Sequence, residues 1–188
     1  MLSTYTSKAG SFPLAAIRQA ISNLVFPEWL EMRDRLTRDA NRDALTDLAN
    51  RRALDRALPA AERDARTSII VFDLNNFGLI NKLRGHESGD WLLVEFAAAL
   101  RTVAIAYGVG ERIFRRGGDE FILLASVESA ERIRAGVEET FGSYEIVGAH
   151  GASVVVSVSG AIGNTFAEAD SLLQARKATQ KEDANYAS

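Results

Sequence analysis

Residues 111–125 read ERIFRRGGDEFILLA, and this stretch decides what kind of fold the chain can adopt. ERIFRR and FILLA are strand-like runs, and Gly117-Gly118-Asp119-Glu120 separates them. That order predicts a β-hairpin whose glycines supply the positive φ of a tight turn. Upstream, SIIVFDL (68–74) is apolar from Ile69 to Phe72, as in a strand buried on both faces. Between strand and hairpin, residues 76–83 predict a short helix and 85–89 a turn. WLLVEFAAALRTVAIAYG then carries Leu93, Phe96, Leu100 and Val103 at helical steps. Residues 50–65 predict a helix before the first strand. After the hairpin come a helix over 128–141, strands over 144–147 and 152–158, and a closing helix over 167–181. The order predicts an α/β (α+β) domain, a sheet covered by helices.

The chain has 188 residues, 47% hydrophobic and 25% charged, with a formal net charge of −3. Such a balance fits one globular domain with a real core, and it argues against a dedicated nucleic-acid binder, which carries a basic excess. With no cysteine, disulfides and thiolate chemistry are excluded. His86 and His150 are the only imidazoles, so a bound metal would rely on carboxylates and be Mg²⁺ or Mn²⁺ rather than zinc. No apolar stretch approaches the roughly 20 residues that span a bilayer. The start lacks the basic-then-apolar order of a signal peptide, so the expected location is cytoplasmic, away from membranes.

Residues 1–40 read as an N-terminal extension, distinct from a domain over 41–188. LAAIRQAISNLV has helical spacing, and Pro27 opens a second helix candidate with Trp29, Leu30, Met32 and Leu36 among charges. Two uses are open for it: a lid over its own domain, or a stalk that pairs two subunits.

Asp73 stands where an apolar strand ends, and Asp119 and Glu120 stand in the hairpin turn. If those strands are neighbours, three carboxylates converge, repelling one another unless a divalent cation neutralises them. Taken alone, Asp73 also fits a strand-end or capping aspartate, and the turn fits an ordinary solvated one.

Three spaced signatures go further. Arg115-Arg116-Gly117-Gly118-Asp119-Glu120-Phe121 resembles the R-x-G-G-D-E-F motif of the GGDEF family of diguanylate cyclases. Asp43-Ala44-Leu45-Thr46-Asp47-Leu48-Ala49-Asn50-Arg51-Arg52 resembles its opening D-x-L-T-x-L-x-N-R-R. Residues 73–90 resemble D-x-D-x-F-K-x-x-N-D-x-x-G-H-x-x-G-D. The resemblance runs from about 41 to 181. It implies a nucleotidyl-cyclase-like fold, a mainly antiparallel sheet wrapped by helices, and the condensation of two GTP into cyclic di-GMP by a homodimer. Asp73, Leu74, Asp119 and Glu120 would hold Mg²⁺ or Mn²⁺, and Gly117 and Gly118 would shape the catalytic turn. Glu120 is also a candidate for assisting deprotonation of the 3′-hydroxyl. The backbone of Leu74, Asn75, Asn76 and Phe77 would cradle phosphates, while Asn81 and Asp90 would read guanine. Asp90 fits equally as the N-cap of a helix beginning at Trp91.

Some positions depart from the pattern. Asn75 replaces the second aspartate of D-x-D, Gly78 the lysine, and Lys82 the aspartate after Asn81. Leu172-Leu173-Gln174-Ala175-Arg176 aligned on the family's L-Y-x-A-K puts Arg176 on a triphosphate-binding lysine and Gln180 on an arginine. An inhibitory product site, R-x-x-D, falls on Gly108 and Glu111 and is absent. Unless Lys82 or Lys177 substitutes, the loss of cations at 78 and 180 weakens GTP binding and leaves an alternative: a degenerate module that binds GTP or a protein partner without turnover.

Overall fold

The computed structural model describes residues 29–148, 151 and 153–186. The helical spacing read over 14–25 lies outside them. Two compact units divide the chain, Met1–Ala40 and Asn41–Ser188. In the first, a helix (α1, 29–39) carries Trp29, Leu30, Met32 and Leu36 as exposed apolar side chains.

The second unit is a six-stranded sheet in the order β1-β3-β4-β2-β6-β5. Its strands are β1 (Ala49–Asn50), β2 (Thr67–Asn75), β3 (Ile113–Gly117), β4 (Glu120–Ser126), β5 (Ser143–Val147) and β6 (Ser153–Gly163). All neighbours are antiparallel except β1 and β3, so the expected mainly antiparallel sheet is present. The helices are α2 (Arg51–Ala61), α3 (Phe77–Arg84), α4 (His86–Ala106), α5 (Val127–Phe141) and α6 (Phe166–Tyr186).

Successive residues of β2 point to opposite faces, and both are covered. Ile70, Phe72 and Leu74 join Phe96, Leu100, Phe121 and Phe141 in one core. Phe96 meets Phe121 edge-on at 4.9 Å and Phe141 at 5.1 Å. Ile69 and Val71 join Leu54, Ile122, Leu124 and Leu173 in the other. That alternation explains the unbroken apolar run, and it assigns Asp73 to the face of Ile69 and Val71.

Several expectations shift. The helix over 50–65 is shorter: Asn50 caps it, its side chain accepting from Ala53 N, and the chain leaves it after Ala61. Asp64 then bonds Arg66 N and Thr67 Oγ1, turning the chain into β2. No turn spans 85–89; Gly85 alone separates α3 from α4, which already begins at His86. Asp90 is therefore inside a helix and does not cap one. Gly89, inside α4, packs against α3 so closely that an added Cβ would stand 2.0 Å from Asn81 Oδ1. β6 continues five residues beyond the expected end, because Ser159 and Gly160, loop-like in type, pair with Asp73 and Phe72 of the central strand. No helix among the described residues is long and apolar enough to cross a membrane.

Candidate functional site

Asp73 and Glu120 face each other across the β2–β4 ladder, and Asp119 immediately precedes β4. The hairpin turn between β3 and β4 is made by Gly117 and Gly118, at φ 150° and 55°, conformations a side chain resists. Arg115 fastens this turn: its Nε donates to Gly118 O at 3.0 Å and its Nη1 to Asp43 Oδ1 at 2.8 Å. Against the cost of burial, hydrogen bonds from Arg115 and Thr46 hold the Asp43 carboxyl below its usual range. The opening signature and the hairpin motif thus lock together.

Asp73 is 9% exposed. Burial pushes its carboxyl above the ordinary range, and the Asp119 and Glu120 charges add to that, against the opposing pull of Lys177. Lys177 Nζ, on α6, donates to Asp73 Oδ1. Glu120 is paired in turn, with Arg116 Nη1 at 2.6 Å, and the Arg116 guanidinium lies over the Phe166 ring at 4.9 Å.

Beside these carboxylates is an open cavity of about 650 Å³. Leu74 to Leu79, where β2 passes into α3, form one wall, and Asp119, Ser157, Lys177, Gln180 and Lys82 contribute the polar groups. Gly78 lines it with free space around its Cα, and Lys82 stands one helical turn further along α3. At the base, Asn75 Nδ2 donates to Ser157 Oγ and Ser159 Oγ, both at 2.9 Å, and Ser159 Oγ donates to Gln180 Oε1 at 3.0 Å.

Asn81 and Asp90 sit on α3 and α4, outside the lining of that cavity. Asn81 Oδ1 is buried without a hydrogen-bond partner, and Asp90 is exposed. An orphaned buried acceptor costs about 1–3 kcal/mol and calls for a donor.

Arg176 is elsewhere. Its guanidinium donates to Glu138 at 2.9 and 3.1 Å and to Gly160 O at 2.6 Å, inside an ion-pair cluster that includes Arg134. Lys177, not Arg176, is the α6 cation at the carboxylates, so the closing-helix alignment moves by one residue. The family's lysine then falls on Lys177 and its arginine on Lys181. A signal was available: Ala169 and Leu173 are buried four residues apart, and the next step along that stripe is 177. Ser157 and Ser159 were also missed, having no motif of their own.

The donor set is hard carboxylate oxygen, which suits Mg²⁺ or Mn²⁺. Among the described residues, however, no three acidic or histidine side chains are gathered closely enough to hold an ion. The residues fit the metal by the chemistry of their donors, while Lys177 bonds Asp73 and Arg116 bonds Glu120.

The sheet thus brings acidic strand ends beside a cavity walled by the strand-to-helix backbone of 74–79. Residues 40–184 match the family described as diguanylate cyclase, GGDEF domain, and the chain belongs to it. It is 39% identical over 87 residues to the diguanylate cyclase DgcS of Shewanella oneidensis, covering 44% of this chain and 28% of DgcS. Against the diguanylate cyclase DosC of Escherichia coli it is 30% identical over 159 residues, 78% of this chain and 33% of DosC. The chain thus spans a third or less of these two relatives. Among solved structures, the coiled coil and GGDEF domain of DgcB from Caulobacter crescentus, in complex with c-di-GMP, shares the fold. Its TM-score is 0.68 at 24% identity, over 88% of this chain and 95% of that one. The diguanylate cyclase SiaD of Pseudomonas aeruginosa, in complex with its activator SiaC, gives 0.64 at 25% identity, over 88% and 70%.

Proposed function

We propose that this chain condenses two molecules of GTP into cyclic di-GMP, releasing two pyrophosphates, as a dimer of half-sites. The observation that carries the reading is the placement of Asp73 opposite Glu120, with Asp119 next to Glu120 and lining a cavity walled by the start of α3. Asp73, Asp119, Glu120 and the Leu74 carbonyl would hold the divalent ion, which when bound neutralises charge on the α-phosphate and its leaving group.

The chain's own residues do the rest. Backbone N–H groups from Leu74 to Phe77 meet the phosphates, Lys177 supplies the positive charge of the family's lysine on α6, and Lys82 supplies the charge that position 78 lacks. Asn81 and Asp90 orient the guanine, the buried Asn81 Oδ1 gaining a donor from its edge. Glu120, released from Arg116, is placed to receive the proton of an incoming 3′-hydroxyl. The hairpin turn, braced by Arg115, keeps Asp119 and Glu120 in register with Asp73.

A second reading, GTP binding without turnover, draws on the ion pairs that occupy Asp73 and Glu120. One experiment separates the two. The purified chain is incubated with GTP and Mg²⁺ and the products are read by mass spectrometry. Cyclic di-GMP in the mixture supports the cyclase; GTP-dependent thermal stabilisation with no product supports the binder.

A further inference from the structure

Lys177 satisfies Asp73 and nothing else. Its ammonium bonds Asp73 Oδ1, and no second hydrogen bond holds it among the described residues. The same side chain lines the 650 Å³ cavity with Lys82, Gln180 and the start of α3. A carboxylate this enclosed, with Glu120 opposite and Asp119 beside it, needs a positive partner wherever it is ionised. Lysine is suited to a temporary partnership: a point charge on a flexible four-carbon stem, able to turn through its own rotamers without moving α6. Arg116, the partner of Glu120, is anchored additionally by stacking on Phe166.

An ammonium and a divalent cation cannot both hold the inner oxygens of Asp73. At about 4 Å apart two such positive charges repel strongly in a partly buried site. We propose that Lys177 is an internal competitor for the metal. In the free protein it neutralises Asp73, and a divalent cation enters only by displacing it into the cavity, where it meets a polyphosphate. Two consequences follow from linkage. The metal alone binds more weakly than its donor set would allow, and metal and polyphosphate favour each other's binding. Lys177 is thereby a positioning residue that joins the two events. The fate of the freed lysine rests on the proposed reading of the cavity, whereas the competition at Asp73 requires no turnover.

The test is Mn²⁺ binding to the full chain without nucleotide, followed by the electron paramagnetic resonance of the free ion. Lys177→Met keeps the length and apolar stem and removes the charge. It is expected to bind Mn²⁺ about tenfold more tightly than the wild type, a difference of about 1.4 kcal/mol. A second measurement uses the wild type itself. Labelling of Lys177 by acetic anhydride, read by mass spectrometry against Lys82, is expected to rise several-fold when Mn²⁺ is saturating. Equal or weaker Mn²⁺ binding by a folded Lys177→Met overturns the proposal, as does unchanged or reduced labelling, or no Mn²⁺ binding to either protein. If the variant proves unfolded by circular dichroism, the labelling decides. Both Mn²⁺ effects in a protein that makes no cyclic di-GMP would remove the cyclase reading and leave the competition standing. Product formation without either effect would do the reverse.

Discussion

Asn75 and Gln180, on β2 and α6, hydrogen-bond to the same hydroxyl: Ser159 Oγ accepts from Asn75 at 2.9 Å and donates to Gln180 at 3.0 Å. These are two of the positions at which the chain departs from the family pattern as first aligned. Read singly each looks like a loss, but together they are the ends of one neutral chain, and Asn75 holds Ser157 as well. Asn75→Ala should therefore lower stability by about 1–3 kcal/mol, because several half-buried polar groups lose a partner at once. Urea unfolding of Asn75→Ala, Ser159→Ala and the double variant should give a coupling of about 0.5–3 kcal/mol. Strict additivity would mean the network does not act as a unit.

The carboxylates make a second prediction. Asp73→Asn and Asp119→Ala should each abolish cyclic di-GMP formation while circular dichroism and thermal melting stay near wild type. Asp73→Asn keeps an acceptor for Lys177 Nζ, so the fold loses charge without losing the bond. Near-normal turnover in either variant would displace these residues from the metal.

Base choice tests α3 and α4. GTP should bind far better than ATP, since a site built on Asn81 and Asp90 leaves polar groups unpaired against adenine, at about 1–3 kcal/mol for each. Gly89→Ala should reduce that preference and destabilise the domain by about 1–3 kcal/mol, because its Cβ would intrude on Asn81 Oδ1. The check is isothermal titration with non-hydrolysable analogues of both nucleotides. Equal affinities in the wild type would remove Asn81 and Asp90 from the site.

Dependence on a second chain follows from arithmetic of the product. One domain supplies one set of carboxylates, yet cyclic di-GMP has two 3′–5′ bonds, so each bound GTP must present its 3′-hydroxyl to the other's α-phosphate. Two copies meeting isologously would satisfy this. Specific activity should fall on dilution below the dimer constant, and deletion of residues 1–40, with Trp29, Leu30 and Leu36, should move that fall to higher protein concentration. A flat specific activity across a hundredfold dilution, in the 188-residue and truncated chains alike, would end the half-site idea.

Much of the architecture was legible because hydrophobic period and turn chemistry are local. The run from Ile69 to Phe72 could only be a strand covered on both sides, and two adjacent glycines between strand-like runs could only be a hairpin. The same locality failed at Asp90. Gly85 to Gly89 looks like a turn to any propensity, but packing against Asn81 keeps Gly89 helical, and the capping role vanishes with the loop. It failed again at β6, where Ser159 and Gly160 become strand because β2 offers them a ladder.

The amino-acid order by itself determined most of the element types, the family, and which acidic residues are candidates for the site, since those depend on neighbours a few positions away. Which cation reaches Asp73 was decided only by tertiary structure. Arg176 and Lys177 are adjacent on one helix, so they point about 100° apart, and the sheet beneath α6 selects between them. Arg176 turns to Glu138 of α5 and the Gly160 carbonyl, 38 and 16 residues back along the chain, while Lys177 turns to Asp73, 104 residues back. The four-residue step from Ala169 and Leu173 marks the face that carries Lys177, but which carboxylate that face meets is set by the angle at which the helix lies on the sheet.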